Sequence, residues 1–398
     1  MKLQLTSTKT IDLNFGGGAG KKSSKDLTGV ELFSGEPLGV PAVRIIRKKN
    51  AWHLAAAGFV KSPNGVLPER WEDIAKQPSW EMPHEFQSPH AALAVNSAQA
   101  TFGQASADAI VQEMMEGLKA QPKASVSSSP AQSKRFAVKK SEPAKPAPVP
   151  AVKEQASAPQ RRPDFPEAGE AVSENGRRFV VQPLAEEGFH LSASIPEYQA
   201  LWLSRLLPEG RRPTAASIQV AESALMASIL AQPEFTAAKE TALAVFVRPD
   251  AVYFAGYKGG EPVLWRRCPG AQGENAMRAA VKKTLGIEDE LIASVLDDSL
   301  VDPRPALEPF LHPILEQLEL ARAFLAGKHG IETDKVFLMG LTAGAAQWKK
   351  LAEETLRLNF VSPDPFEGLT VEKGVEVKNR NSFLIALGAA LAASEVES

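Results

Sequence analysis

At 398 residues the chain is long enough for two hydrophobic cores, and 44% hydrophobic with 23% charged residues is ordinary for a globular protein. Its 45 basic and 47 acidic residues leave a net charge of −2, which argues against the basic face of a nucleic-acid binder. One cysteine, Cys268, excludes an internal disulfide, and no stretch approaches the ~20 apolar residues of a membrane span.

The chain starts Met1 to Thr6 without the apolar run of a signal peptide, so it reads as a cytoplasmic protein that reaches a membrane only through a partner. Residues 1–26 form a polar tail around Gly16-Gly17-Gly18-Ala19-Gly20-Lys21-Lys22. A phosphate-cradling loop needs Gly, four residues, then Gly-Lys-Ser/Thr. Phe15 and Lys22 break both ends of that pattern, so the patch reads as a flexible tether.

From Leu27 the chain becomes foldable. Leu27 to Phe33, Ala42 to Arg47 and Ala51 to Phe59 are short apolar pieces bounded by Gly and Pro, the pattern of consecutive strands. Ala91 to Asn96 gives another strand, and Ser106 to Leu118 a helix opened by a serine cap. Residues 27–118 are thus read as the first part of an α/β lobe. Residues 119–176 then read as a disordered Pro/Ala/Lys-rich linker: nine prolines and almost no bulky apolar side chain cannot offset the entropy of ordering.

Order resumes at Arg177. Phe179 to Leu184 and Phe189 to Ser194 are predicted strands, and Pro196 to Leu207 and Ile218 to Leu230 predicted helices. Trp202 lies at helical spacing with Tyr198, Leu201 and Leu206, as a core residue does. A second lobe, 236–380, opens with a meander, Thr241 to Val247, Ala251 to Tyr257 and Pro262 to Arg267, turning at Gly259-Gly260. A long helix, Leu307 to Leu325, follows. Lys335 to Leu341 is a strand running into Thr342-Ala343-Gly344 and a helix, Gln347 to Leu358. Such a corner gathers free N–H groups at a helix start, where an anion can dock. Asn359 to Leu369 is a short strand and turn, and residues 381–398 carry a small-residue helix, Asn381 to Ala393, returning to the first lobe.

The order Leu-x-Gly-small-small, helix, strand, Asp364-Pro365-Phe366, then a closing Ala-Leu-Gly-Ala-Ala helix resembles the last third of the actin-like ATPase fold. It is similar in particular to the PilM group of type IV pilus assembly proteins, and more distantly to FtsA. The implied fold class is α/β: a duplicated, ribonuclease-H-like two-lobe architecture with a small inserted subdomain, which the resemblance places at residues 177–235. The family's first phosphate loop is Gly-Ile-Asp-Ile-Gly-Ser, and this chain has Gly29-Val30-Glu31-Leu32-Phe33-Ser34. Glu31 stands for the magnesium-holding Asp, and Phe33 for a glycine that lets backbone approach phosphate. At the second loop Val245 and Val247 replace Asp and Gly, leaving Asp250 as the substitute acid in a hairpin turn. The adenosine loop keeps Gly340 and Gly344 about Thr342. The resemblance therefore names Glu31, Ser34, Asp250, Gly340, Thr342 and Gly344 as nucleotide-site positions, with ATP hydrolysis absent and at most weak Mg-ATP binding expected.

No other constellation offers chemistry. The six histidines include no His-Glu-x-x-His spacing, and Cys268 has no paired base in sequence. What the resemblance implies is a pseudo-ATPase scaffold of a type IV pilus or related type II secretion platform, peripheral to the inner membrane. Its partner would be the cytoplasmic N-terminal tail of a PilN-like membrane protein, held as an extended peptide beside the inserted subdomain. Thr10-Ile11-Asp12-Leu13-Asn14-Phe15 alternates apolar and polar residues and could take the same groove. Two alternatives stand beside this. One is an active ATPase or sugar-kinase-like phosphotransferase binding Mg-ATP between the lobes, and the other an adaptor working through its basic Pro-rich segment.

Overall fold

The computed structural model describes residues 15, 25–35, 38–49, 51–63, 65–75, 80–117, 163, 165–184, 188–207, 213–237, 241–297, 302, 304–332 and 335–394. The chain begins with the meander β1 (Asp26–Leu32), β2 (Val40–Lys48) and β3 (Ala51–Val60), followed by β4 (His90–Val95). Next come β5 (Thr101–Ser106), α1 (Ala107–Glu116), β6 (Val172–Glu174), β7 (Arg177–Pro183) and β8 (Phe189–Pro196). Then α2 (Glu197–Ser204), β9 (Thr214–Val220), α3 (Ala221–Ala227) and the short α4 (Pro233–Ala237) return to the first sheet. A second meander, β10 (Ala242–Val247), β11 (Val252–Lys258) and β12 (Glu261–Arg267), leads into α5 (Gly273–Leu285), α6 (Asp289–Asp297) and α7 (Arg304–Phe324). The rest is β13 (Lys335–Met339), α8 (Ala345–Leu356), β14 (Asn359–Val361), β15 (Thr370–Val371) and α9 (Leu384–Ser394).

Two sheets share one plan. Their strand orders are β3-β2-β1-β4-β9 and β12-β11-β10-β13-β14, with β15 added at the far edge of the first. In each, the two meander joints are antiparallel and the next two are parallel. The central strands explain why: Leu27 to Leu32 of β1 and all of β10 are buried, so both faces are covered and the apolar run need not alternate. A parallel neighbour then needs a crossover through helix, which α5 to α7 supply in the second lobe.

α9 covers the first sheet so closely that its backbone nearly touches β1. A Cβ added to Gly29 would lie 1.8 Å from the Ala386 carbonyl oxygen, and one added to Gly388 1.8 Å from that of Ala224 in α3. The Ala and Gly run of this helix is therefore a packing requirement: only small residues let two backbones meet across it.

Several expected boundaries shift. β5, β6, β7 and β8 form a separate four-stranded sheet in the order β5-β8-β7-β6, with Thr101 opposite Ser194 and Ser106 opposite Phe189. The inserted subdomain thus starts near Thr101, inside the stretch 27–118 read as first lobe, and it ends near Pro196. Ile218, Gln219 and Val220 lie in β9 rather than in a helix, because pairing with Leu93, Ala94 and Val95 of β4 outweighs their helical spacing. Ala168 and Val172 to Glu174 pair with β7, so order begins before residue 177. Residues 119–162 and 164 of the expected linker lie outside the described residues. Within the expected tail, Phe15 is fully buried in the first-lobe core and Asp26 already belongs to β1.

Candidate functional site

The carboxyl ends of β1, β4, β10 and β13 converge between the lobes, where α/β sheets of this kind place their crevices. Phe33, Ser34, Asn96, Arg248, Asp250, Glu274 and Thr342 are among the residues lining a cleft of about 530 Å³ there. Adjoining it, a space of about 40 Å³ is lined by residues that include Glu31, Ser34, Val247, Glu274, Gly340 and Asn381.

At the bottom three side chains from three strand ends close on one another. Arg248 leaves the tight turn after β10, whose N–H bonds the Ala251 carbonyl at 2.8 Å, and reaches across to the first lobe. Its Nη1 donates to Glu31 Oε1 at 3.2 Å and its Nη2 to Asn96 Oδ1 at 2.7 Å, while Asn96 Nδ2 donates to the same Glu31 oxygen at 2.9 Å. The Arg248 and Glu31 side chains are only 11% and 7% exposed. Burial works against the Arg248 charge, but the carboxylates of Glu31 and Glu222 outweigh it and hold the guanidinium above its ordinary value. Burial likewise pushes the Glu222 carboxyl up, and pushes Tyr253, whose hydroxyl lies 3.4 Å from Glu222, up to about 12.

A second network ties the other wall. Glu274, buried at the start of α5, accepts the Thr342 N–H through Oε2 at 2.9 Å. Its Oε1 accepts the Thr342 hydroxyl and Arg278 Nε, the latter at 2.9 Å. Arg278 Nη2 also donates to Thr342 Oγ1 at 2.9 Å. The turn after β13 is thereby pinned to α5, and Asn381, just before α9, donates to the Leu341 carbonyl from the other side.

Of the positions named from the sequence, Glu31, Ser34, Asp250, Gly340 and Thr342 line these two spaces. Gly340 has φ +93°, and a Cβ there would lie 2.3 Å from the Val247 oxygen, so this glycine lets the ends of β13 and β10 meet. Asp250 projects into solvent, its carboxylate 3.9 Å from Arg248 Nε. Gly344 is turned away: it caps α8 and abuts Leu296. Val245 and Val247 are buried sheet residues. Phe33 keeps a left-handed φ of 59°, the conformation glycine adopts most readily, with its ring 6.1 Å from that of Trp202.

Arg248, Asn96, Glu274 and Arg278 went unassigned by sequence reasoning. An arginine in a hairpin turn gives no local sign that it points inward, and Glu274 reads as an ordinary acid in a first helical turn. Among the described residues no three His, Cys, Asp or Glu side chains are placed to hold a metal ion. Cys268 is buried just past β12, and desolvation pushes its thiol up to about 11, away from nucleophilic use. Also among the described residues, no helix is long and apolar enough to cross a membrane.

No family profile matches the chain, and no curated protein matches it. Among solved structures the chain is similar to one titled PilM-PilN type IV pilus biogenesis complex, with 14% identity and a TM-score of 0.53. That likeness covers 94% of this chain and 99% of the other. A Bacteroides thetaiotaomicron protein of actin-like ATPase fold and unknown function aligns over 93% of this chain and 99% of its own, at 9% identity and a TM-score of 0.38. The doubled sheet plan and the near-complete coverage of the pilus-complex structure agree, and the chain has the actin-like two-lobe fold.

Proposed function

We propose that this chain is a scaffold of a type IV pilus, or related type II secretion, assembly platform, that it binds the cytoplasmic tail of a PilN-like membrane protein, and that it does so without hydrolysing ATP. The observation that carries the reading is the Arg248 guanidinium in the interlobe cleft, bonded to Glu31 and Asn96. A nucleotide's magnesium needs a carboxylate free to hold its water shell, and Glu31 at the end of β1 is already engaged by a cation and an amide. Phosphate needs unobstructed backbone N–H groups, and the Phe33 ring stands at the turn where they would be offered. These residues do not suit Mg-ATP. They suit a static link between lobes. The likeness to a structure titled as a pilus biogenesis complex, over nearly the whole chain, supports this reading of the process and the kind of partner.

The test is a pull-down of the purified full chain with N-terminal cytoplasmic peptides of membrane proteins encoded beside it, with and without Mg-ATP. Capture that is saturable and indifferent to nucleotide is expected. Strict dependence on Mg-ATP, or measurable turnover, would establish the ATPase or phosphotransferase alternative instead.

A further inference from the structure

Phe15 lies ten residues before Lys25, where the described run leading into β1 begins, yet it is fully buried. Its N–H donates to the Ile218 carbonyl of β9 at 2.8 Å, and its own carbonyl accepts Arg178 Nη1 of β7 at 2.8 Å. β9 is the outermost strand of the first sheet, and β7 belongs to the inserted subdomain. Phe15 is thus held by main-chain bonding at a sheet edge, by an arginine from the neighbouring subdomain, and by its ring in the first-lobe core.

Residues 10–14 lie outside the described residues, and their sequence carries the matching pattern. Ile11, Leu13 and Phe15 alternate with Thr10, Asp12 and Asn14, so a strand here would put the three apolar side chains on one face. The reach is sufficient. β9 is two strands from β1, about 10 Å across the sheet, and the nine residues 16–24 span up to about 30 Å when extended.

We propose that Thr10 to Phe15 adds to the edge of β9 as an intramolecular strand anchored by Phe15, so that this chain covers the open edge of its own first sheet from its N-terminus. Main-chain bonds to β9 supply affinity, and the Phe15 pocket beside Arg178 supplies register. A rival peptide of the same pattern has to displace the segment, which is present at the high effective concentration of a short tether. The proposal rests on the contacts of Phe15 and stands whether or not the pilus reading does.

The experiment offers a fluorescent peptide of residues 8–17 to the full-length chain and to its Phe15→Asp variant. The variant should bind saturably and at least tenfold more tightly than the wild type, and adding Arg178→Ala should weaken that binding. Equal binding to both chains, or binding to neither while the variant keeps its cooperative melt, overturns the proposal. If Phe15→Asp fails to fold, a site-specific protease sequence replacing Gly16 to Gly20 serves instead. After cleavage the N-terminal piece should travel with the chain through gel filtration and be displaced by excess peptide carrying Phe15, but not by peptide carrying Asp there. Immediate loss of the piece overturns the proposal, as does a wild-type dimer that dissociates on dilution and places the segment on a second copy.

Discussion

The turns after β1 and β10 stand at equivalent points of two sheets with one strand order, and they are built from opposite chemistry. The first is long, keeps a glycine-like backbone at Phe33 and presents the carboxylate of Glu31. The second is a tight hairpin, Arg248 to Asp250, and presents a guanidinium. Facing each other across the cleft, they neutralise one another where a phosphate loop would need both to face a ligand. Strand order is enforced by burial on both faces, whereas the residues at strand ends answer only to what lies in the crevice. One can change without the other.

The largest effect should come from comparing how helices cover the two sheets. Gly29→Ala drives a methyl into the backbone of α9, which has nowhere to go, and should destabilise by on the order of 4 kcal/mol or leave the chain unfolded. Gly256→Ala in β11 meets instead the flexible end of Leu325 at 2.8 Å and should cost about 1–2 kcal/mol. Urea unfolding measures both, and equal losses would remove the distinction between the two covers.

Next is the cross-lobe pair. Glu31→Ala strands a buried guanidinium and should cost about 3 kcal/mol, while Glu31→Leu combined with Arg248→Met should cost clearly less than the sum of the two single changes. Additive losses would mean that the turns do not act on one another.

The smallest effect is a pH dependence at Glu222. Burial holds its carboxyl above the ordinary value of 4.5, so the folded chain binds more protons than the unfolded one just above that pH, and stability falls as pH rises through this window. Glu222→Gln removes the titration. The urea midpoint of the wild type should therefore drop relative to that of the variant as pH rises from 4.5, and parallel curves would rule the effect out.

The meanders were legible because apolar runs bounded by Gly and Pro name strands without help from the rest of the chain. β5 was not, since its partner β8 lies beyond a long polar segment and no local pattern announces a pairing so distant. In the cleft, the departures at Glu31 and Phe33 could be read against the resemblance, residue by residue. Arg248 could not, because what matters is its direction, and a side chain that crosses between lobes leaves no trace in spacing. Asn96 was visible as the end of a strand, but its role as the amide joining Glu31 to Arg248 needs all three strand ends in place.

The close contact of α9 with β1 also sets an order of assembly. Gly29 meets Ala386 and Gly388 meets Ala224, so the first sheet cannot cover its inner face until residues more than 350 positions downstream of β1 have arrived. The second sheet is drawn from one continuous stretch, β10 to β14, with its helices in between. Closing the longer loop costs little more at equilibrium, but it delays the moment when the first core can form. Pulse-labelled hydrogen exchange should accordingly find amides of β10 and β13 protected before those of β1, with the first lobe waiting, its apolar strands uncovered, for the helix that completes it.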